Sequence, residues 1–157
     1  MKKILKISMI ALLSVTMYSC GSDSNSEATK DEAKKPATSM IADEVDPMDS
    51  KGIGPISSLT LADEVDATMA ASGEEIFQAK CSACHKTDVK FIGPSPKGVL
   101  ERRSPEWVMN MILNPEEMVA NDPIAKELLV EYNMSPMANQ NLTEEEARSV
   151  LEYFRTL

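Results

Sequence analysis

One histidine, His85, and three cysteines are all the soft metal ligands of this kind that the 157 residues hold. A structural zinc site draws four ligands from Cys and His in two spaced pairs, and no second pair exists beside Cys81 and Cys84. Aromatic residues make up 4% of the chain, too little to fill the centre of a small core unaided. No segment alternates apolar and polar residues convincingly, which argues against strands. Cations are in deficit, 16 Lys and Arg against 25 carboxylates, for a net charge of −9. Nucleic-acid binding needs a basic footprint and is excluded. The amino-terminal apolar run, Ile7 to Tyr18, is too short for a permanent transmembrane helix.

What is present is concentrated in five residues, Cys81-Ser82-Ala83-Cys84-His85. A C-x-x-C-H run is the attachment site of a c-type haem. Its thiols add across the haem vinyl groups, and the adjacent imidazole is the proximal iron ligand. A thioredoxin-like pair is also written C-x-x-C, but it opens a helix that follows a strand. Nothing upstream of Cys81 reads as such a unit. With one histidine, bis-histidine ligation within the chain is impossible. The opposite face of the iron is filled by another residue type or left open.

The amino terminus carries Lys2, Lys3 and Lys6 ahead of its apolar run, the layout of an export signal. Thr16-Met17-Tyr18-Ser19-Cys20 resembles a bacterial lipobox, which implies a lipoprotein signal peptide over 1–19 and a lipidated Cys20. Met17 and Tyr18 depart from the usual pattern. The competing reading is an ordinary signal cleaved near Ser19, leaving Cys20 as an exposed free thiol, a liability in an oxidising compartment. Both readings export the protein. Loss of 1–19 removes three lysines and no acid, taking the net charge from −9 to −12. Such acidity suits a redox partner with a basic docking patch, and serves plain solubility equally well. Residues 20–70 read as an acidic, largely disordered tether, because 21–35 has almost no apolar content to offset chain entropy. Ile41-Ala42-Asp43-Glu44-Val45-Asp46 recurs as Leu61-Ala62-Asp63-Glu64-Val65-Asp66, too few copies for a solenoid. Between the copies, Lys51-Gly52-Ile53-Gly54-Pro55-Ile56 is rich in turns but also apolar, and the chain from about Lys51 is expected to pack along the domain.

Residues 71–157 read as a compact all-α domain of about four helices. Ser72-Gly73-Glu74-Glu75 has the form of a capping box leading to the haem cysteines. Ser104-Pro105 and Asp122-Pro123 each pair an N-cap residue with proline at the first helical position. Thr143-Glu144-Glu145-Glu146 is a further capping box, followed by Ala147, Val150, Leu151 and Phe154 on one face. A covalent haem would supply the apolar centre.

This layout resembles a class I cytochrome c domain over essentially all of 71–157. Gly73 and Phe77 stand eight and four positions before Cys81, as a glycine and an aromatic do in that family. The resemblance implies that the last helix crosses the first and brings Tyr153 against Gly73. It implies that the Pro94 carbonyl accepts a hydrogen bond from His85, an arrangement that raises ligand basicity; a simple turn is the plainer reading of Pro94. It also implies a methionine as sixth ligand, from a loop before the last helix. Met137 fits that position and Met134 is the runner-up, since Ala138 stands where many members have proline. Met109 and Met111 read as core fillers and Met118 as part of a polar loop. The Trp107 indole N–H needs a partner if buried, either a haem propionate or a group within the core. Arg102 and Arg103 are candidates to neutralise a propionate, or are simply solvated.

Histidine–methionine ligation raises the reduction potential and marks electron transfer. The resemblance thus implies a membrane-tethered single-electron carrier with one haem c and transient redox partners in the periplasm. Similarity of Lys51–Pro55, Arg102–Met109 and Asn139–Thr143 to lipoprotein cytochromes associated with nitrous oxide reduction implies a nitrous oxide reductase as a partner, and a terminal oxidase fits the residues equally well. The alternative is a haem-based gas sensor or enzyme with an open sixth site.

Overall fold

The computed structural model describes residues 46–157. The signal segment 1–19, Cys20, the tether through Val45 and the first copy of the repeat up to that residue lie outside the described residues. Among these, every regular element is helical. Five α-helices follow in order: α1 Ala67–Ile76, α2 Pro105–Leu113, α3 Pro115–Asn121, α4 Pro123–Glu131 and α5 Glu144–Phe154. A π turn at Phe77–Cys81 continues α1, and a 3-10 turn at Val99–Glu101 precedes α2.

Three of the four expected helix starts have the expected caps. The Ser104 hydroxyl accepts from the Trp107 amide, the Asp122 carboxylate from the Ala125 amide, and Thr143 and Glu146 form a reciprocal capping box. The fourth is corrected. Ser72 lies inside α1, whose cap is Asp66, accepting from the Thr68 and Met69 amides. Alanines at 67, 70 and 71 propagate the helix backwards, so the upstream cap prevails. A second correction concerns Met118. Pro115 opens an unexpected short helix, α3, and Met118 points inward from it, fully buried. Its sulfur accepts from the Ile53 amide at 2.9 Å.

Helix α5 crosses α1 where Gly73 meets the Ser149 carbonyl and Val150 amide nitrogen; a Cβ on Gly73 would overlap that backbone. Tyr153 stands one turn further along and meets Phe77 at 5.6 Å between ring centroids, with Phe154 completing the aromatic cluster. The core joins α2, α4 and α5 through Trp107, Met109, Ile112, Ile124, Val150 and Leu151.

The packed body reaches back to Ser50, ahead of the expected boundary at 71. Buried Asn110 holds this stretch like a short strand pair: its amide donates to the Lys51 and Ile56 carbonyls, and its oxygen accepts from the Ile56 amide. At the far end Glu152, 1% exposed, accepts from the Asp66 amide and pairs with Arg148 and Arg155. Arg155 also donates to the Ala62 and Asp63 carbonyls. Burial alone would push the Glu152 carboxyl up, but the Asp66 amide, Arg148 and Arg155 together hold it below the usual carboxylate range. A carboxyl depressed on folding stabilises the native state above its unfolded pKa, and that contribution fades as pH falls through the folded value. Glu152→Gln is therefore expected to cost about 2 kcal/mol at neutral pH. The deficit should close below the carboxylate range. Urea melts across pH check this; a deficit independent of pH would assign the loss to packing instead.

Candidate haem site

The π turn makes the site. It widens the end of α1 so that the Ser82 amide reaches back to the Phe77 carbonyl, and such turns recur at functional positions. The Cys84 and His85 amides both donate to the Cys81 carbonyl, at 3.0 and 2.9 Å, which reverses the chain within one turn. Cys81, Cys84 and His85 consequently line one cavity of about 260 Å³. Burial pushes the Cys81 thiol up, with neighbouring Lys80 partly opposing it.

The tautomer of His85 follows from one contact. Its Nδ1 lies 2.7 Å from the Pro94 carbonyl oxygen. A carbonyl can only accept, so Nδ1 carries the proton and Nε2 keeps its lone pair for a metal. Sequence reasoning passed over Gly93 in this role. A Cβ there would stand 2.5 Å from His85 Cε1, so only glycine lets the loop carrying Pro94 approach the ring. The signal was legible as Gly93-Pro94, but not its target.

Met137 and Met111 also line this cavity, with Ile112, Val119, Leu128, Leu129, Val150 and Phe154 among its apolar walls. Met134 is 62% exposed and is not part of the lining. It ends α4 instead: the Asn133 amide donates to Val130 and the Met134 amide to Leu129, with φ of 57° and 58°. That is a Schellman stop, carrying Met134 outward and the following loop towards Met137. Asn139, donating to the Leu113 carbonyl, ties the loop to α2.

Trp107 also lines the cavity, but its indole N–H donates to buried Asp122 at 3.1 Å rather than lying free for a propionate. The partner is fifteen residues away and invisible to local patterns. Arg102 and Arg103 both line the cavity. Arg103 stacks over Trp107 at 5.4 Å, and its Nε is buried without a partner. Burial lowers the Arg103 pKa, and Arg102 beside it acts in the same direction. Arg103 Nη1 donates to the Arg102 carbonyl, so the unpartnered Nε is the donor left for an anionic group entering from outside the chain.

The residues fit a covalent haem. Two thiols and a metal-ready imidazole share one largely apolar cavity, and the buried Arg103 Nε is left for a propionate. The cytochrome c family profile matches residues 70–157. A cytochrome c-551 from Ectopseudomonas mendocina is 33% identical over 88 residues, covering 55% of this chain and 99% of that protein. A solved cytochrome c from Rhodothermus marinus superposes with a TM-score of 0.63 at 42% identity, covering 66% of this chain and 88% of that one. The cytochrome c domain of a Pseudomonas putida protein gives 0.50 at 32% identity, over 54% and 85%.

Proposed function

The chain belongs to the cytochrome c family and carries one covalent haem c, and from that premise we propose that it is a membrane-tethered carrier of single electrons. The haem supplies an iron that cycles between ferric and ferrous states. The observation that supports this reading is that His85, its Nδ1 proton fixed on Pro94, and Met137 line one largely apolar cavity. His85 is held in the tautomer that donates through Nε2, and Pro94 raises its basicity. The aliphatic walls exclude water that would compete with a thioether. Arg103 offsets a propionate charge from within.

Optical spectra of the haem-loaded protein test this reading. A ferric methionine-to-iron charge-transfer band, and a ferrous spectrum unmoved by carbon monoxide, are expected. A high-spin ferric haem or rapid carbon monoxide binding would sink the carrier and favour a sensor or enzyme.

The anchor is Cys20 and the compartment is the periplasm, because the charged and apolar stretches at the amino terminus have the pattern of a lipoprotein signal. Cys20→Ser should move the protein from the membrane to the soluble fraction, and unchanged membrane recovery would remove the anchor from this account. Tethering raises the effective concentration of the carrier near a membrane-bound or periplasmic reductase or oxidase. A nitrous oxide reductase and a terminal oxidase fit as acceptors equally well.

A further inference from the structure

Asp122 is 3% exposed and lies just behind the wall of the haem cavity. Its Oδ1 accepts from the Trp107 indole N–H at 3.1 Å and from the Ala125 amide at 2.8 Å, and both donors belong to residues that line the cavity. Its Oδ2 accepts from the Ser50 hydroxyl at 3.5 Å, where the packed body begins. All these donors are neutral. Among the described residues Asp122 takes part in none of the salt bridges.

Capping α4 does not call for that charge, since asparagine and serine cap a helix as well as aspartate does. A carboxylate kept from water without a cation beside it is costly, so its place behind the cavity wall points to work that a neutral cap could not do. Ferric haem carries one positive charge more than ferrous haem. A fixed negative charge nearby therefore favours the ferric state, and it reaches further through the protein interior than through water. Arg103 already registers this field: burial and then Arg102 lower its pKa, and Asp122 opposes them. The guanidinium stacks on the face of the indole whose N–H edge Asp122 holds.

We propose that Asp122 is a potential-setting residue, whose buried charge behind Trp107 holds the reduction potential of the haem down. The proposal rests on the electron-carrier reading. It gives the chain two opposed devices, a Met137 thioether that raises the potential and an internal carboxylate that lowers it. The many carboxylates of the surface do not serve in its place, because exposed charges are screened over about 8 Å at physiological salt.

Potentiometry of the holoprotein at neutral pH, followed by its optical spectrum, tests the charge. Asp122→Asn keeps an oxygen for the indole and for Ala125 but loses the charge. Its potential should rise by a several-fold change in the ferric-to-ferrous ratio, read at about 59 mV per tenfold. Asp122→Ser keeps the cap and loses the charge, should rise likewise, and decides the matter if the asparagine variant fails to mature. Trp107→Phe removes the indole donor and keeps the charge, so its potential should not rise. Glu127→Gln removes an exposed carboxylate from the helix that Asp122 caps, and should move the potential less. An unmoved or lowered potential in the Asp122 variants would overturn the proposal and leave Asp122 a helix cap. An equal rise in Trp107→Phe would assign the effect to the indole, and an equal rise in Glu127→Gln to net charge; either would overturn it too. A parent protein without a reversible one-electron couple would overturn the carrier reading and the role of Asp122 with it.

Discussion

Replacing Met137 with alanine is expected to abolish the ferric methionine-to-iron band, open the ferrous haem to carbon monoxide and lower the reduction potential. Met137 is a half-buried residue in the cavity lining, on a loop held by Asn139 and by the Schellman stop of α4. A thioether there favours the ferrous state, because it is a soft, neutral donor kept from water. Axial ligation commands a span of ~0.8 V in haem proteins, so a fall on the order of 100 mV or more is expected. Potentiometry coupled to optical spectra measures both effects together. Met134→Ala should leave them unchanged, since that side chain points to solvent. Met111 is the stringent comparison, because it lines the same cavity from α2. Loss of the band in Met111→Ala, with Met137→Ala unaffected, would transfer the ligand to the helix. A band that persists in both variants would assign the thioether to another methionine, whereas its absence from the parent protein would revive the open-site alternative.

The second large effect concerns stability and reverses a local expectation. Gly73 lies inside α1, where replacement by alanine should gain about 1 kcal/mol of helix propensity. At this crossing the new Cβ meets the Ser149 carbonyl, part of the α5 backbone, which has no flexible end to turn aside. Overpacking typically costs ~1–3 kcal/mol and more when neighbours cannot move, so the crossing wins over propensity. Gly73→Ala should lower the denaturation midpoint of the holoprotein. Gly73→Val should cost more than about 4 kcal/mol, a large share of the total stability of a small domain. Much of it should fail to mature with haem. A Gly73→Ala protein as stable as the parent would show that the helices can part, and that the glycine is dispensable.

These two residues mark how far the chain can be read. Gly73 was recognisable by its distance from Cys81, but the backbone atom that it meets belongs to residue 149. Met137 and Met134 lie three residues apart in one loop with similar local wording. They separate only because α4 ends in left-handed residues at 133 and 134, which turn one thioether outward and carry the other to the cavity. Met118 looked like part of a polar loop. A proline-led turn of helix and a stretch of chain returning from residue 53 made it a buried acceptor.

By itself the sequence determined whatever is decided within about four residues. That includes the C-x-x-C-H attachment, the caps at Ser104, Asp122 and Thr143, the helical class and the exclusion of a second histidine ligand. Capping and covalent attachment act between near neighbours, so their spacing is their mechanism. The tertiary structure alone decided which polar groups satisfy one another across the core. It gave the Trp107 indole to Asp122, left the Arg103 Nε without a partner and set Gly93 against the His85 ring. Those partners lie eight or more residues apart in the chain, so no local spacing encodes which of them meet.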